Sequence, residues 1–178
     1  MRIVITGAES SGKSTIAEHL GRQFNLPYAL EYARCYLEEN GPDYDLELLI
    51  RLSGLHRDYQ QTEVDPVAPM GIFDTDMINY KIWAEEVFGH CPGQIIEGIE
   101  KESSHVYLLC MPDLPWKPDL LRENPDDREM LYQRHLSEIK RLNRPYAVVE
   151  GVEGVGLQRL ANAEAAVECL MAEQAAKA

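Results

Sequence analysis

No C-x-x-C pair joins any of the four cysteines, Cys35, Cys91, Cys110 and Cys169, so the sequence offers neither a zinc ribbon nor a disulfide framework. No run approaches the eighteen or so apolar residues that a membrane span needs, and the N-terminus carries no cleavable apolar segment. A reduced, cytoplasmic protein with no membrane partner is the expectation. Positive charge is scarce as well: 17 Lys and Arg stand against 30 Asp and Glu, a formal net charge of −13. That balance leaves no broad basic face for a nucleic-acid backbone, although a few local cations suffice for a small phosphorylated ligand. The five histidines, His19, His56, His90, His105 and His135, form no H-x-x-x-H pair and read as helix-surface or core residues. Internal repeats are absent, and the only biased stretch is an alanine-rich tail.

What is present is concentrated near the N-terminus. The apolar run Ile3-Val4-Ile5-Thr6 leads into Gly7-Ala8-Glu9-Ser10-Ser11-Gly12-Lys13-Ser14-Thr15, which fits G-x-x-x-x-G-K-[ST] between a strand and a helix-forming segment. A phosphate chain needs several donors converging on one point. A glycine-rich turn entering a helix supplies backbone N–H groups and a favourable dipole there. Lys13 adds a mobile positive charge, and Ser14 offers the hydroxyl that reaches a Mg²⁺ bridging the terminal phosphates of ATP. The whole stretch from Gly7 to Thr15 is therefore the candidate cofactor-binding segment.

At 178 residues the chain is long enough for one domain, residues 1–178, with a sizeable core. Strand and helix signals alternate along it. After the first strand, Ile16, Leu20 and Phe24 give a buried stripe to a helix from Lys13 to about Phe24. Tyr28-Ala29-Leu30 is a short strand ending at Glu31, and a short helix is expected over 34–39. A long helix follows over about 43–64, then the strand Met70-Gly71-Ile72-Phe73 ending in Asp74-Thr75-Asp76. Helices over 77–88 and 92–101 precede Val106-Tyr107-Leu108-Leu109-Cys110, the most strand-like run. Residues 111–127 have too little periodicity for a core element and read as a loop or lid. A helix to about Leu142, the strand Tyr146-Ala147-Val148-Val149 and a last alanine-rich helix complete the chain. This alternation predicts an α/β fold, a doubly wound five-stranded parallel sheet of P-loop kinase-like type with a lid segment.

Candidate site residues follow from position. Glu31 ends a strand on the ligand edge of such a sheet, with Arg34 nearby to orient it. It is the leading candidate for the base, or for the group holding an acceptor, and Asp76 is the alternative. Asp74, a carboxylate at the end of a buried strand, is the second Mg²⁺ candidate beside Ser14; capping of the next helix is the other reading for the Asp74/Asp76 pair. Arg122 and Arg128 are expected to bring positive charge over the phosphates when the lid closes. Trp83 suits a core position; it and Trp116 are also carried as candidate substrate-binding side chains.

Several reactions use this loop, and exclusion narrows them. Neither Asp74-Thr75-Asp76-Met77 nor Asn143-Arg144-Pro145 matches the strand-end and base-reading motifs of a GTPase. A mechanical ATPase usually sets Glu directly after the strand-end Asp to polarise water, and here Thr75 stands there. Transfer to an acceptor other than water is the better reading.

The chain resembles the ribosylnicotinamide kinase domain of the bifunctional NAD-biosynthesis protein NadR and its stand-alone P-loop relatives. The resemblance is spread over Gly7 to Thr15, Glu31-Tyr32-Ala33-Arg34-Cys35-Tyr36, Asp74-Thr75-Asp76, Asp113-Leu114-Pro115-Trp116 with Arg122 and Arg128, and Tyr146 with Gly151 and Arg159. It implies ATP- and Mg²⁺-dependent phosphorylation of the 5′-hydroxyl of nicotinamide riboside, with Gly151 and Arg159 added to the nucleotide-binding set. Two features depart from the pattern. The phosphate-loop strand begins at Arg2, with no adenylyltransferase domain ahead of it in this sequence, and Asp119 is followed by Leu120 and Leu121 where the family often has Asp-Gly. The alternatives are a kinase for another nucleoside or small alcohol, and an ATP-binding regulatory switch with little turnover. The expected partner is a nucleoside-like small molecule, with the oligomeric state open.

Overall fold

The computed structural model describes residues 1–102, 104–122, 124–151 and 156–175. Five strands, β1 (Arg2–Thr6), β2 (Tyr28–Ala29), β3 (Gly71–Asp74), β4 (His105–Cys110) and β5 (Tyr146–Val149), form one sheet in the order β2-β3-β1-β4-β5, with every pairing parallel. The helices are α1 (Lys13–Gln23), α2 (Tyr32–Asn40), α3 (Leu46–Glu63), α4 (Met77–Phe88), α5 (Gly93–Lys101), α6 (Arg128–Arg141) and α7 (Gly156–Ala175). The expected doubly wound sheet is thus the observed one.

Covering both faces explains why β3 and β4 are buried throughout and read as continuous apolar runs. On one face Ile3, Ile5, Leu108 and Cys110 pack against Ile16 and Leu20 of α1 and Val167 of α7. On the other, Val4, Phe73, Tyr107 and Leu109 meet Ile78 and Ile82 of α4 and Leu131 and Ile139 of α6. At roughly 25 cal/mol per Å² of apolar area, such two-sided burial is the main stabilising contribution. The edge strand β5 is the exception, its Tyr146 and Val148 remaining well exposed.

In a parallel sheet the strand C-termini share one edge, and the order of this sheet places the reversal of winding between β1 and β4. The turn after β1 therefore opens onto the crevice where such sheets hold ligands. Its geometry is glycine-dependent: Gly7 has φ 130°, and a Cβ there would lie 2.6 Å from the Cys110 carbonyl oxygen. Gly12 ends the turn at φ 81° as the N-cap of α1, whose first turn carries no acidic residue to repel an anion.

Candidate active site

A cleft of about 650 Å³ lies along that edge. Its floor is the phosphate loop from Gly7 to Thr15. One wall is α2 with Glu31 and Arg34, another is α4 with Asn79 and Trp83, and Leu120, Leu121, Arg122 and Asn124 with His135 of α6 close the remaining side. Within the loop, Lys13 Nζ donates to the Ala8 carbonyl at 3.0 Å and Ser11 Oγ donates to the same oxygen at 2.7 Å. The Ala8 carbonyl is thus satisfied twice from within the curled loop.

Ser14 Oγ donates to Asp74 Oδ2 at 2.5 Å, and Asp74 is fully buried with Oδ1 unpartnered. A buried carboxylate oxygen without a partner is costly, and a hard cation or its water shell relieves that cost. Ser14 and Asp74 therefore fit Mg²⁺.

Asp76 does not join them. Thr75 sits at φ 68°, an outlier for a β-branched residue, held by its N–H on the Ile5 carbonyl and by Gln60 Nε2 on its own carbonyl, both at 3.0 Å. This left-handed residue turns the chain so that Asp74 faces the loop while Asp76 enters the protein interior. There Asp76 caps α4 through the Ile78 N–H and takes bonds from the Tyr107 hydroxyl at 2.6 Å and the His105 ring at 3.1 Å. Burial works to raise its carboxyl, but the His105 ring, the Tyr107 hydroxyl and the Ile78 N–H outweigh it and hold the group below the ordinary value. Asp76 as alternative base is thus corrected: its side chain is occupied in the core. We expect Asp76→Ala to destabilise the fold by about 3–5 kcal/mol, because it strips a buried network of its charge. Thermal unfolding measures this, and turnover per folded molecule should stay within about threefold of wild type. A loss of turnover with unchanged stability would return Asp76 to the chemistry.

Glu31 is placed differently. It precedes α2, lines the cleft and receives the Asn79 amide at 3.3 Å on Oε1. Burial raises its carboxyl to about 7, with the Asp74 charge adding to the effect and Lys13 and Arg34 partly offsetting it. Arg34 does not pair with Glu31 directly. Its guanidinium bonds Asp119 of the 111–127 segment and Glu38 of its own helix, so α2 is tied to that segment across the cleft.

The remaining expected residues divide. Arg122 lines the cleft, its guanidinium held on the Lys117 carbonyl. Arg128 does not line it: Nε, Nη1 and Nη2 donate to the carbonyls of Glu9, Leu114 and Ser10. An arginine in the first turn of a helix is satisfied there by loop carbonyls outside it, so Arg128 fastens the phosphate loop to the 111–127 segment. Arg159 plays a similar part from behind. Only 5% exposed, it bonds Asp113 and the carbonyls of Ser11, Met111 and Gly151. Gly151 donates its N–H to the same Asp113. Trp83 faces the cleft, its Nε1 donating to the Tyr44 hydroxyl at 2.9 Å with the two rings edge to face. Trp116 is half-buried and does not line the cleft.

Four contributors escaped the sequence reading: Tyr44, Asn79, His56 and His135. His56 accepts from the Tyr32 N–H at 3.3 Å, steadying the start of α2 beside Glu31. His135 bonds Thr6 at the end of β1. Both histidines interrupt apolar stripes, Leu49-Leu52-His56 and Leu131-His135-Ile139, and a polar residue inside such a stripe is the signal that could have found them.

A family model described as AAA domain matches residues 2–154. The chain belongs to that family. Comparison with curated proteins finds no match. Among solved structures, NadR in complex with NR is similar with a TM-score of 0.70 and 21% identity, covering 93% of this chain and 50% of that one. NadR in complex with NAD and AMP-PNP gives 0.68 and 23%, covering 93% and 48%. Thymidylate kinase from Ehrlichia chaffeensis gives 0.58 and 15%, covering 96% and 98%. The chain thus spans about half the length of the NadR chains and shares the P-loop kinase-like fold. Among the described residues no helix is long and apolar enough to cross a membrane.

Proposed function

We propose that this chain is a MgATP-dependent kinase that phosphorylates a hydroxyl of a nucleoside-like acceptor, with the 5′-hydroxyl of nicotinamide riboside as the leading candidate. The observation that carries the reading is Glu31, a carboxyl raised to about 7 that lines the same cleft as Lys13 and Ser14. A group that titrates near neutrality is suited to accept the acceptor's proton as transfer proceeds. Asn79 orients it, and Tyr44 and Trp83 supply an aromatic wall on which a flat base can pack. When bound at Ser14 and Asp74, Mg²⁺ would neutralise charge on the terminal phosphates. The fold shared with NadR in complex with NR supports the choice of acceptor.

The test is purified protein with MgATP and a panel of nucleosides, read by ADP release. Nicotinamide riboside should give the highest rate. If no acceptor raises ADP release while ATP binds tightly, the protein is a switch instead.

Arg122 supplies a further expectation. If it contacts the transferring group, Arg122→Ala should lower kcat on the order of a hundredfold and leave the KM for the acceptor nearly unchanged. An unchanged kcat would make it a surface arginine.

A further inference from the structure

His135 is 2% exposed and belongs to α6, yet it lines the cleft together with Lys13. Its Nδ1 lies 2.9 Å from Thr6 Oγ1, at the last residue of β1 beneath the phosphate loop. Thr6 is fully buried, and His135 is the only hydrogen-bond partner of its hydroxyl among the described residues. Were Nδ1 to carry the proton, the Thr6 hydrogen would be buried without an acceptor, at a cost typical of a lost hydrogen bond. Thr6 therefore donates to Nδ1, which assigns the ring proton to Nε2. No described residue takes that Nε2–H. Burial and the adjacent Lys13 charge push the imidazole down to about 3, with Asp76, Arg134 and Glu138 the other charged groups acting on it. The ring is accordingly neutral, a donor that adds no charge beside Lys13.

We propose that His135, held by Thr6, presents its Nε2–H to an oxygen of the terminal phosphate of bound ATP, acting as a second donor beside Lys13. The proposal rests on the kinase reading for its kinetic consequence. Lys13 reaches the terminal phosphates in loops of this type, so a donor sharing its part of the cleft meets the same group. A neutral donor aimed where charge develops during transfer stabilises that state without repelling Lys13.

Two variants separate the ring nitrogens. His135→Asn retains a polar atom near Nδ1 for Thr6 but removes the outer donor, whereas His135→Gln returns an amide N–H near the position of Nε2. In a protein that turns over an acceptor, His135→Asn should lower kcat about tenfold to a hundredfold with the KM for ATP within about threefold of wild type. His135→Gln should recover most of that loss. Equal kcat in wild type and His135→Asn would overturn the assignment while leaving the kinase reading intact.

Imidazole ¹⁵N and ¹H resonances of the wild-type protein answer independently of turnover and of variant folding. The neutral Nε2–H tautomer should be seen in the free protein, and its resonance should move on adding Mg²⁺ with AMP-PNP but not with ADP. An Nδ1–H tautomer, or no movement with AMP-PNP, would refute the contact even if no acceptor is ever found.

Discussion

Lys13→Ala should leave the fold intact and slow transfer on the order of a thousandfold, about 4 kcal/mol of transition-state stabilisation. The folding half of that statement follows from what the side chain touches. Its ammonium bonds the Ala8 carbonyl, which also accepts from Ser11, so removing it leaves no buried group without a partner. The kinetic half follows from the chemistry. Phosphoryl transfer leaves little covalent work to the protein, so rate depends on placing positive charge and N–H donors where negative charge spreads. Lys13 is the cation of the loop that forms the cleft floor, and nothing else in the loop carries positive charge. The measurement is kcat beside a thermal unfolding curve. A folded Lys13→Ala protein within tenfold of wild type would remove the phosphate loop from the mechanism.

Glu31→Gln should lower kcat by about 10²–10⁴. Gln keeps the shape and can still meet the Asn79 amide through its own carbonyl, but it cannot take a proton. The pH profile adds a second, independent signature. A carboxyl ordinarily titrates near 4.5, and burial with the Asp74 charge raises this one to about 7. A base works in its ionised form, so a raised value means activity is lost earlier as pH falls. In wild type, kcat/KM, which reports the free enzyme, should be level above about pH 7 and decline tenfold per unit below it. In Glu31→Gln that inflection should vanish with the rate. A variant that keeps wild-type kcat and the same inflection, raising only KM, would make Glu31 an acceptor-binding group and leave the base to be found elsewhere in the cleft.

Much of the architecture was legible because its signals are local. The strand-turn-helix around Gly7 to Thr15 is set by glycines that tolerate φ 130° and 81° and by an apolar run before them. The helix over 77–88 and the strand over 146–149 begin and end where periodicity and capping put them, and the largest boundary differences were two or three residues at the starts of α2 and α3. Strand order was not legible, since no local signal says that β3 and β4 flank β1.

What the sequence left undecided at the site shares one cause: direction. Position along the chain placed Asp74 and Asp76 equally at a strand end. One left-handed residue, Thr75, held by partners from β1 and α3, turned one carboxylate to the loop and the other into the core. Arg128 and Arg159 were recognisable as arginines near phosphate machinery, but only packing shows that loop carbonyls, and for Arg159 also the Asp113 carboxylate, take their donors. Asn79 of α4, Tyr44 of the connection between α2 and α3, and His135 of α6 are far apart in the chain, and their convergence on Glu31, Trp83 and Thr6 exists only when the sheet is assembled. The sequence by itself therefore determined that a phosphate loop opens onto a parallel sheet, because those choices rest on backbone conformation and hydrophobic period. Which charged groups face the cleft was decided by tertiary structure, because a buried polar side chain goes where its hydrogen-bonding partners are, and those partners lie far away in the chain.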